Sequence, residues 1–193
     1  MKIKLGVFFG GKSVEHEVSI ITALQAIENM NKEKYEIIPI YIAKDNKMYC
    51  GDFVADIKQY TNINNLKKIS TQVTLSLKDN KTVLLRTNKK FYENEIYNYI
   101  DIAFPIVHGT NVEDGTLQGY LKMFNLPYVG CDVISSAVGM DKYVSKIILK
   151  ENDIPVLDCK CFYKNEEIED IVKEVEENIK YPVIVKPINL GSS

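Results

Sequence analysis

The sequence predicts an α/β protein whose helices cover both faces of a doubly wound parallel sheet. Two short apolar runs, at residues 2–9 and 101–107, each stop just before a glycine-containing turn, which is the pattern of a buried strand. The first run is followed by a helical pattern and a second strand within about 40 residues, the order found in a βαβ unit. In folds of this class, ligands bind beyond the carboxyl ends of the strands.

The N-terminal βαβ unit is the clearest part of the pattern. Its first strand, residues 2–9, stops at Gly10 and Gly11, and residues 35–42 form the second apolar run. Between them, residues 17–29 carry apolar side chains at helical spacing. These side chains are Ile20, Ile21, Leu24 and Ile27. We therefore expect the segment after Gly11 to lie at the carboxyl edge of the sheet.

Residues 43–99 carry a weaker pattern. Two short runs, 73–77 and 82–85, flank the polar residues 78–81 and predict a β-hairpin, and the remainder predicts polar connections with short elements. The run 101–107 returns to the buried-strand pattern. A helix follows it, with Leu117, Leu121 and Phe124 on its apolar face.

The pattern changes near residue 130. Pro127 and Gly130 interrupt it, so we expect an α/β domain at residues 1–130 and the first part of a second domain at residues 131–193. The second part begins with helices at 133–138 and 142–150, and Asp141 is placed to cap the second of them.

Two further elements are expected in the second part. Residues 165–179 are amphipathic, with Glu166 and Glu167 in the first turn, where the helix dipole favours acidic side chains. The apolar run 183–186 predicts a strand that ends at Pro187.

Composition and charge argue against several classes of function. The 193 residues carry 24 basic and 26 acidic side chains, a formal net charge of −2, and Arg86 is the single arginine, so no nucleic-acid partner is expected. No apolar stretch approaches the roughly 20 residues of a membrane span, and the start of the chain lacks the pattern of a signal peptide. Four irregularly spaced cysteines fit a reducing cytoplasm and no structural zinc.

One motif is misleading. Residues 6–13 match the P-loop pattern G-x-x-x-x-G-K-[ST], yet Val7, Phe8 and Phe9 belong to the apolar strand, whereas a P-loop needs these positions in the turn that binds the phosphate. We therefore interpret residues 10–11 as a glycine turn that leads into a helix.

The candidate site residues follow the strands. Glu15 begins the first helix, where it either interacts with the helix dipole alone or receives a ligand ammonium, and residues 12, 16 and 17 are interpreted as solvated or supporting. The loop 108–119 combines His108, Glu113 and Asp114; the simpler interpretations are a packed neutral imidazole and a helix cap.

Two lysines stand where a positive charge is unfavourable. Lys142 opens a helix and Lys186 lies in an apolar run, so each either reaches solvent or meets an anion. With Gly191, Ser192 and Ser193 close behind Lys186, they suggest a site for a nucleotide phosphate.

Four ordered segments carry a resemblance to a known family. FFGGKSVEHEVSI, HGTNVEDGTLQG, LPYVGCDVISSAVGMDK and YPVIVKPINLGSS resemble the N-terminal part of the D-alanine:D-alanine ligases, which are ATP-grasp enzymes of peptidoglycan precursor synthesis. The resemblance implies an N-terminal pre-ATP-grasp domain at 1–130 and the start of the central ATP-grasp domain at 131–193. Residues 43–99 match only loosely, and Val112 stands where many members have glycine.

The resemblance also implies roles for individual residues. Glu15, His108 and Ser192 match the residues around the first D-alanine, and Glu113 and Asp114 support that site. Lys142 and Lys186 match the lysines that contact ATP phosphates, and Ser193 belongs to the same closing loop. The implied reaction is phosphoryl transfer from ATP to one D-alanine carboxylate, followed by attack of a second D-alanine amine.

The remaining expectations concern cofactors, partners and alternatives. The resemblance implies ATP, Mg²⁺ (or Mn²⁺) bound by acidic residues outside this chain, and a cytoplasmic homodimer. Because the family continues beyond residue 193, the 193-residue chain is not expected to catalyse ligation alone. The alternatives are a ligase that joins D-alanine to D-serine or D-lactate, a non-catalytic module that binds the amino acid and no nucleotide, and, more remotely, a P-loop kinase.

Overall fold

A seven-stranded sheet organises the first part of the chain in this computed structural model, which describes residues 2–179 and 181–190. The strands are β1 (Ile3–Gly10), β2 (Tyr35–Ile42), β3 (Met48–Cys50), β4 (Thr71–Lys78), β5 (Lys81–Arg86), β6 (Ile96–Tyr99) and β7 (Ile102–Val107). Their order across the sheet is β6-β5-β4-β3-β2-β1-β7. Strand β1 therefore lies between its sequence neighbour β2 and the distant β7.

The sheet is parallel on one side and antiparallel on the other. β1 pairs in parallel with β2 and β7, whereas β2 through β6 pair antiparallel in sequence order. The α/β class is confirmed, and the purely parallel sheet that the sequence predicted is found only in β2, β1 and β7. A parallel pair needs a crossover of about a dozen residues or more, and the connections at 43–47 and 79–80 are too short for one.

The predicted hairpin is confirmed as β4 and β5. Asp79 and Asn80, at its tip, both have positive φ angles, 50° and 58°, as a type I′ turn requires. The sequence pattern did not locate the other elements of residues 43–99. They are β3, β6, two 3₁₀ helices (Asp52–Ala55 and Ile57–Thr61) and the short helix α2 (Ile63–Ile69).

Helices on both faces of the sheet enclose two hydrophobic cores. Helix α1 (His16–Asn29) packs with α2 against one face, which includes Val7 and Phe9 of β1. Helix α3 (Thr116–Met123) packs against the opposite face, which includes Phe8. The alternation of Val7, Phe8 and Phe9, all fully buried, follows from the two-residue period of a strand.

The second part of the chain contains three helices with mostly exposed surfaces. They are α4 (Val133–Met140), α5 (Lys142–Glu151) and α6 (Ile168–Asn178). Asp141 caps α5 as predicted, because its Oδ1 accepts hydrogen bonds from the backbone N–H groups of Tyr143 (3.0 Å) and Val144 (2.8 Å). No helix in the described residues is long and apolar enough to cross a membrane.

Two predictions for this part were wrong. Glu166 and Glu167 precede α6, because the Glu166 carboxylate accepts a bond from the N–H of Tyr163 in a local turn. Residues 183–186 form no strand, because no other described segment pairs with their backbone, and Val185 is 94% exposed.

Candidate functional site

The site begins where β1 and β7 end side by side. Gly10 lies opposite Val107 in the parallel register, so the chain leaves both strands at the same edge of the sheet. Gly10 and Gly11 turn sharply there with φ angles of 90° and 93°. Since residues 6–10 form part of the buried strand, they do not form a phosphate-binding P-loop.

Ser19 of α1 ties the two strand ends together. Its hydroxyl accepts a hydrogen bond from the N–H of Gly10 (2.8 Å) and donates one to the carbonyl of Ile106 (2.7 Å). The side chain is fully buried. Buried polar groups that are fully paired hold one geometry strongly, so Ser19 fixes α1 relative to the edge of the sheet.

His16 lies under the glycine turn. Its Nδ1 donates to the carbonyl of Gly11 (2.6 Å), which leaves Nε2 to accept a bond from the Tyr41 hydroxyl (3.1 Å). Burial lowers the pKa of His16 below its usual 6.5, because the charged ring loses solvation. His16 is therefore a supporting residue, and the solvated interpretation is wrong for it.

Glu15 stands at the amino end of α1 with one buried oxygen unpaired. Its backbone N–H donates to the Ser13 hydroxyl (3.2 Å), but its carboxyl Oε2 is inaccessible to solvent and has no hydrogen-bond partner among the described residues. Burying such an oxygen without a donor costs about 1–3 kcal/mol, and more if it is charged. The geometry therefore favours a ligand donor over an interaction with the helix dipole alone.

Gly109 makes room for that carboxyl group. A Cβ built on Gly109 would lie 2.8 Å from Glu15 Oε2 and 3.1 Å from Ser13 Cβ, and its φ of +86° is one that L-residues rarely adopt. The Ser13 hydroxyl also donates to the carbonyl of His108 (2.7 Å). The two predicted loops thus contact each other directly.

The His108 side chain lies on the same edge. Its Nε2 is 3.1 Å from the hydroxyl oxygen of Thr22, and its Nδ1 is 3.9 Å from Oε1 of Glu113. The other oxygen of Glu113 accepts the N–H of Gly109 (2.6 Å). The His108 side chain is 34% exposed, so the fully packed interpretation does not apply.

Asp114 shapes the loop and accepts the first N–H of α3, whose N-cap residue is Gly115. The two Asp114 oxygens accept the N–H groups of Asn111 (2.7 Å) and Thr116 (3.0 Å). Burial raises the pKa of Asp114, but these hydrogen bonds outweigh it and hold the pKa below its usual 3.8. The Asn111 amide donates to the carbonyl of Lys12 (2.9 Å), and Val112 is buried against Gly11. Val112 therefore packs into the contact between the two loops.

An open groove of about 480 Å³ runs from this loop to the start of α5. Glu113 lies in its wall, and so does Lys142, whose ammonium donates to the carbonyl of Leu190. Gln118 is buried in the same wall, and its Oε1 lacks a partner among the described residues. The groove thus connects the Glu113 loop with one of the two predicted phosphate-binding lysines.

The remaining candidates are not brought to this edge by the described structure. Lys186 is exposed, and the described residues offer it neither a hydrogen bond nor an ion pair. The predictions for Ser192 and Ser193 lie outside the described residues.

Sequence reasoning missed the residues that join the two loops. Ser13, Ser19, Thr22 and Asn111 all bridge from one loop or strand end to the other. A signal for two of them was present: Glu15, Ser19 and Thr22 are spaced i, i+4 and i+7, which forms one polar stripe on α1.

Two family profiles match the chain. Residues 4–131 match the family profile described as D-ala D-ala ligase N-terminus, and residues 148–193 match the profile described as D-ala D-ala ligase C-terminus. The chain belongs to the D-ala D-ala ligase family. The family resemblance on the four sequence segments is therefore confirmed.

Individual members of this family are similar over nearly the whole chain. The D-alanine–D-alanine ligase of Thermosipho melanesiensis is 43% identical over 192 residues, which cover 99% of this chain and 51% of that protein. The chain spans about half the length of the curated relatives it matches.

Solved structures from the D-ala D-ala ligase family share the fold. The D-alanine-D-alanine ligase from Coxiella burnetii has a TM-score of 0.78 and 31% identity, covering 92% of this chain and 49% of that one. VanG D-Ala:D-Ser ligase from Enterococcus faecalis has a TM-score of 0.76 and 33% identity, and the match covers 100% of this chain and 54% of that one. The D-alanine–D-alanine ligase from Bacillus anthracis complexed with ATP has a TM-score of 0.55 and 27% identity, covering 91% and 43%.

Proposed function

We propose that this chain supplies the first D-alanine site and two ATP-phosphate lysines of an ATP-dependent D-alanine–D-alanine ligase. The observation that carries the proposal is the buried, unpaired Oε2 of Glu15 beside Gly109, at the edge where β1 and β7 end. An ammonium group satisfies such an oxygen with a charge-assisted hydrogen bond. Membership of the D-ala D-ala ligase family supports D-alanine as the amine-bearing ligand.

In the proposed reaction, each residue has a positioning or charge-neutralising role. Glu15 receives the ammonium of the first D-alanine, and His108 lies beside it, supported by Glu113 and by the Asp114 turn. Ser192 completes this site, and Ser193 belongs to the loop that closes over the phosphates. Lys142 and Lys186 oppose the negative charge of the phosphates, since phosphoryl transfer depends mainly on positioning and charge neutralisation.

The chemistry proceeds in two steps. A carboxylate oxygen of the first D-alanine attacks the γ-phosphorus of ATP and displaces ADP, which leaves an acyl phosphate. The amine of the second D-alanine then attacks the acyl carbon, expels inorganic phosphate and loses a proton, which gives the dipeptide. Exclusion of water protects the acyl phosphate during this second step.

ATP and the second substrate are supported by different observations. The B. anthracis relative was solved with ATP, and Lys142 already lies in the groove that reaches the Glu113 loop. D-alanine is proposed as the second substrate because the curated relatives that match at 40–44% identity are named D-alanine–D-alanine ligases. For Mg²⁺, we propose acidic ligands outside this chain, as the family resemblance implies.

The domain division and location form part of the same proposal. We place an N-terminal domain at 1–130 and the first part of the ATP-grasp domain at 131–193, supported by two hydrophobic cores whose buried members all lie at or before Leu126. A cytoplasmic location is supported by four free cysteines. We propose a homodimer from the family resemblance alone.

The test is a chimera that can complete the reaction. This chain replaces the matching stretch of the T. melanesiensis ligase, and ADP release is measured as D-alanine and ATP are varied. We expect D-alanine-dependent ADP release. Glu15→Gln should raise the KM for D-alanine by about tenfold or more, because a charged partner is lost, while the KM for ATP stays within about twofold.

A variant at a proposed phosphate-binding lysine should affect the KM for ATP and not the KM for D-alanine. Lys186→Met keeps the aliphatic chain and removes the ammonium, so it should raise the KM for ATP and leave the KM for D-alanine nearly unchanged. Unaltered D-alanine kinetics in Glu15→Gln would refute the ammonium site. Absence of D-alanine-dependent ADP release from the chimera would favour the non-catalytic binding module.

A further inference from the structure

Each ring nitrogen of His108 has one polar side chain near it, and the two side chains lie at different distances. The Thr22 oxygen lies at hydrogen-bonding distance from Nε2, 3.1 Å, whereas Glu113 Oε1 is 3.9 Å from Nδ1, beyond a direct hydrogen bond. The side chain keeps 34% of its surface exposed. Thr22 therefore provides the short contact that orients the ring, and the open side of the ring can meet a ligand.

Thr22 is well fixed for such a role. Its hydroxyl oxygen also lies 3.0 Å from the carbonyl oxygen of Val18 and 3.2 Å from that of Ser19, one turn earlier in α1. A hydroxyl has one proton and two acceptor lone pairs, so it can bond the helix backbone and the imidazole together. The side chain is β-branched, which restricts its χ1 rotamers in a helix.

The side chain of Thr22 is positioned by α1, the helix that has Glu15 at its amino end. The two residues are seven positions apart, so they lie on one face of α1, with Ser19 between them fixing that face to the strand ends. A single helix thereby positions the Glu15 carboxyl group directly and the His108 ring through Thr22.

We propose that Thr22 is a positioning residue that holds the His108 imidazole in the orientation in which it contacts the first D-alanine. The proposal rests on the proposed function, because it takes His108 as a contact of that substrate. Thr22 itself does not touch the substrate or the reacting atoms; its effect is transmitted through the ring.

The first test observes the ring directly in the 193-residue chain. The sequence contains only two histidines, so proton NMR shows two sets of imidazole signals, and His108→Gln assigns them. Nuclear Overhauser contacts between the His108 ring and the Thr22 methyl group are expected in the parent. Thr22→Val keeps the shape of the side chain and loses its hydroxyl, so the Overhauser contacts between the His108 ring and this side chain should weaken. Thr22→Ser keeps the hydroxyl, so the Overhauser contacts between the ring and α1 should remain. Identical ring contacts in parent and Thr22→Val would overturn the proposal.

The second test measures the consequence in the ligase chimera. Thr22→Val should raise the KM for D-alanine about fivefold, the factor expected for one neutral hydrogen bond, with the KM for ATP unchanged. Thr22→Ser should restore the parent value within about twofold. The matched control is Thr61→Val, since Thr61 also bonds a backbone carbonyl, that of Lys58 at 2.9 Å, but makes no contact with His108.

A double variant separates this proposal from the proposed function. If Thr22 acts through His108, then Thr22→Val should add nothing to the defect of His108→Gln, because residues that act through one another are not additive. A normal D-alanine KM in His108→Gln would refute both the substrate contact and the role of Thr22. A defect in His108→Gln with normal kinetics in Thr22→Val, or additive defects, would refute the role of Thr22 alone.

Discussion

Buried apolar side chains are concentrated in residues 2–130, whereas apolar side chains in the described residues beyond 130 are largely exposed. Every buried hydrophobic side chain in the described structure lies at or before Leu126, whereas Leu157, Ile184 and Val185 of the second region are 80–94% exposed. Burial of apolar surface is the main source of folding free energy, so cooperative stability is concentrated in the first region. The site residues of the first region thus stand on a buried core, whereas Lys142 of the second region is held by the Asp141 cap at the start of its helix and by its bond to Leu190.

The largest expected effect tests this division by large-to-small substitution. Phe8→Ala removes a fully buried ring from β1 and should lower the free energy of unfolding by about 3–5 kcal/mol. Leu157→Ala, at a site 84% exposed, should change it by less than about 0.5 kcal/mol. Urea unfolding followed by circular dichroism measures both. A comparable loss in Leu157→Ala would show that the second region contributes to the same core.

A second prediction sharpens the comparison at the contact between the two loops. Gly109→Ala should cost about 1–3 kcal/mol of unfolding free energy through backbone strain, and should displace the Glu15 carboxyl group, which the new Cβ would meet at 2.8 Å. In the chimera, the KM for D-alanine should rise by about tenfold or more, since small displacements of a binding group are costly.

The control for Gly109 is a glycine with similar strain and open surroundings. Gly130 has a φ of +129°, and nothing lies within 4 Å of a Cβ built on it. Gly130→Ala should lose stability through strain but leave the D-alanine KM within about twofold. Equal D-alanine kinetics in the two alanine variants would show that the clearance beside Glu15 does not matter.

The smallest expected effect is a pH dependence confined to the first region. The pKa of His16 is lowered in the folded protein, so the unfolded chain binds the proton more readily. The stability that the neutral ring contributes is present above about pH 6.5 and is lost as the pH falls below 6.5 towards the lowered pKa. His16→Gln should reduce the slope of unfolding free energy against pH between pH 7 and 5; an unchanged slope would assign it to other groups.

The sequence pattern best predicted those elements whose apolar spacing or capping residue is a local signal. β2 has the bounds expected of it, and α1, β7 and α5 agree within a residue or two, because buried apolar spacing and caps are local signals. The antiparallel strands β3 and β6 have only three and four residues, which are too few to show a period, so local periodicity could not reveal them.

For the candidate site too, the sequence pattern indicated the residues with local signals and missed those defined by distant contacts. Glu15, His108, Glu113 and Asp114 were found because each follows a strand in a polar loop. Their partners Ser13, Ser19 and Thr22 are ordinary hydroxyl residues, whose roles arise from the approach of segments some 90 positions apart. Only the register of β1 with β7 shows that these segments meet.

That register has a consequence for the order in which the protein can fold during synthesis. β1 is translated early, but its second neighbour, β7, is completed only at Val107, whereas β3, β4, β5 and β6 each pair with the strand just before or after them. Non-local pairing pays the larger loop-closure entropy and is intrinsically slow. In a nascent chain, one edge of β1 thus stays unpaired until β7 has left the ribosome, and a chain interrupted before that point has neither the complete sheet nor His108. Completion of the sheet and assembly of the site are the same event.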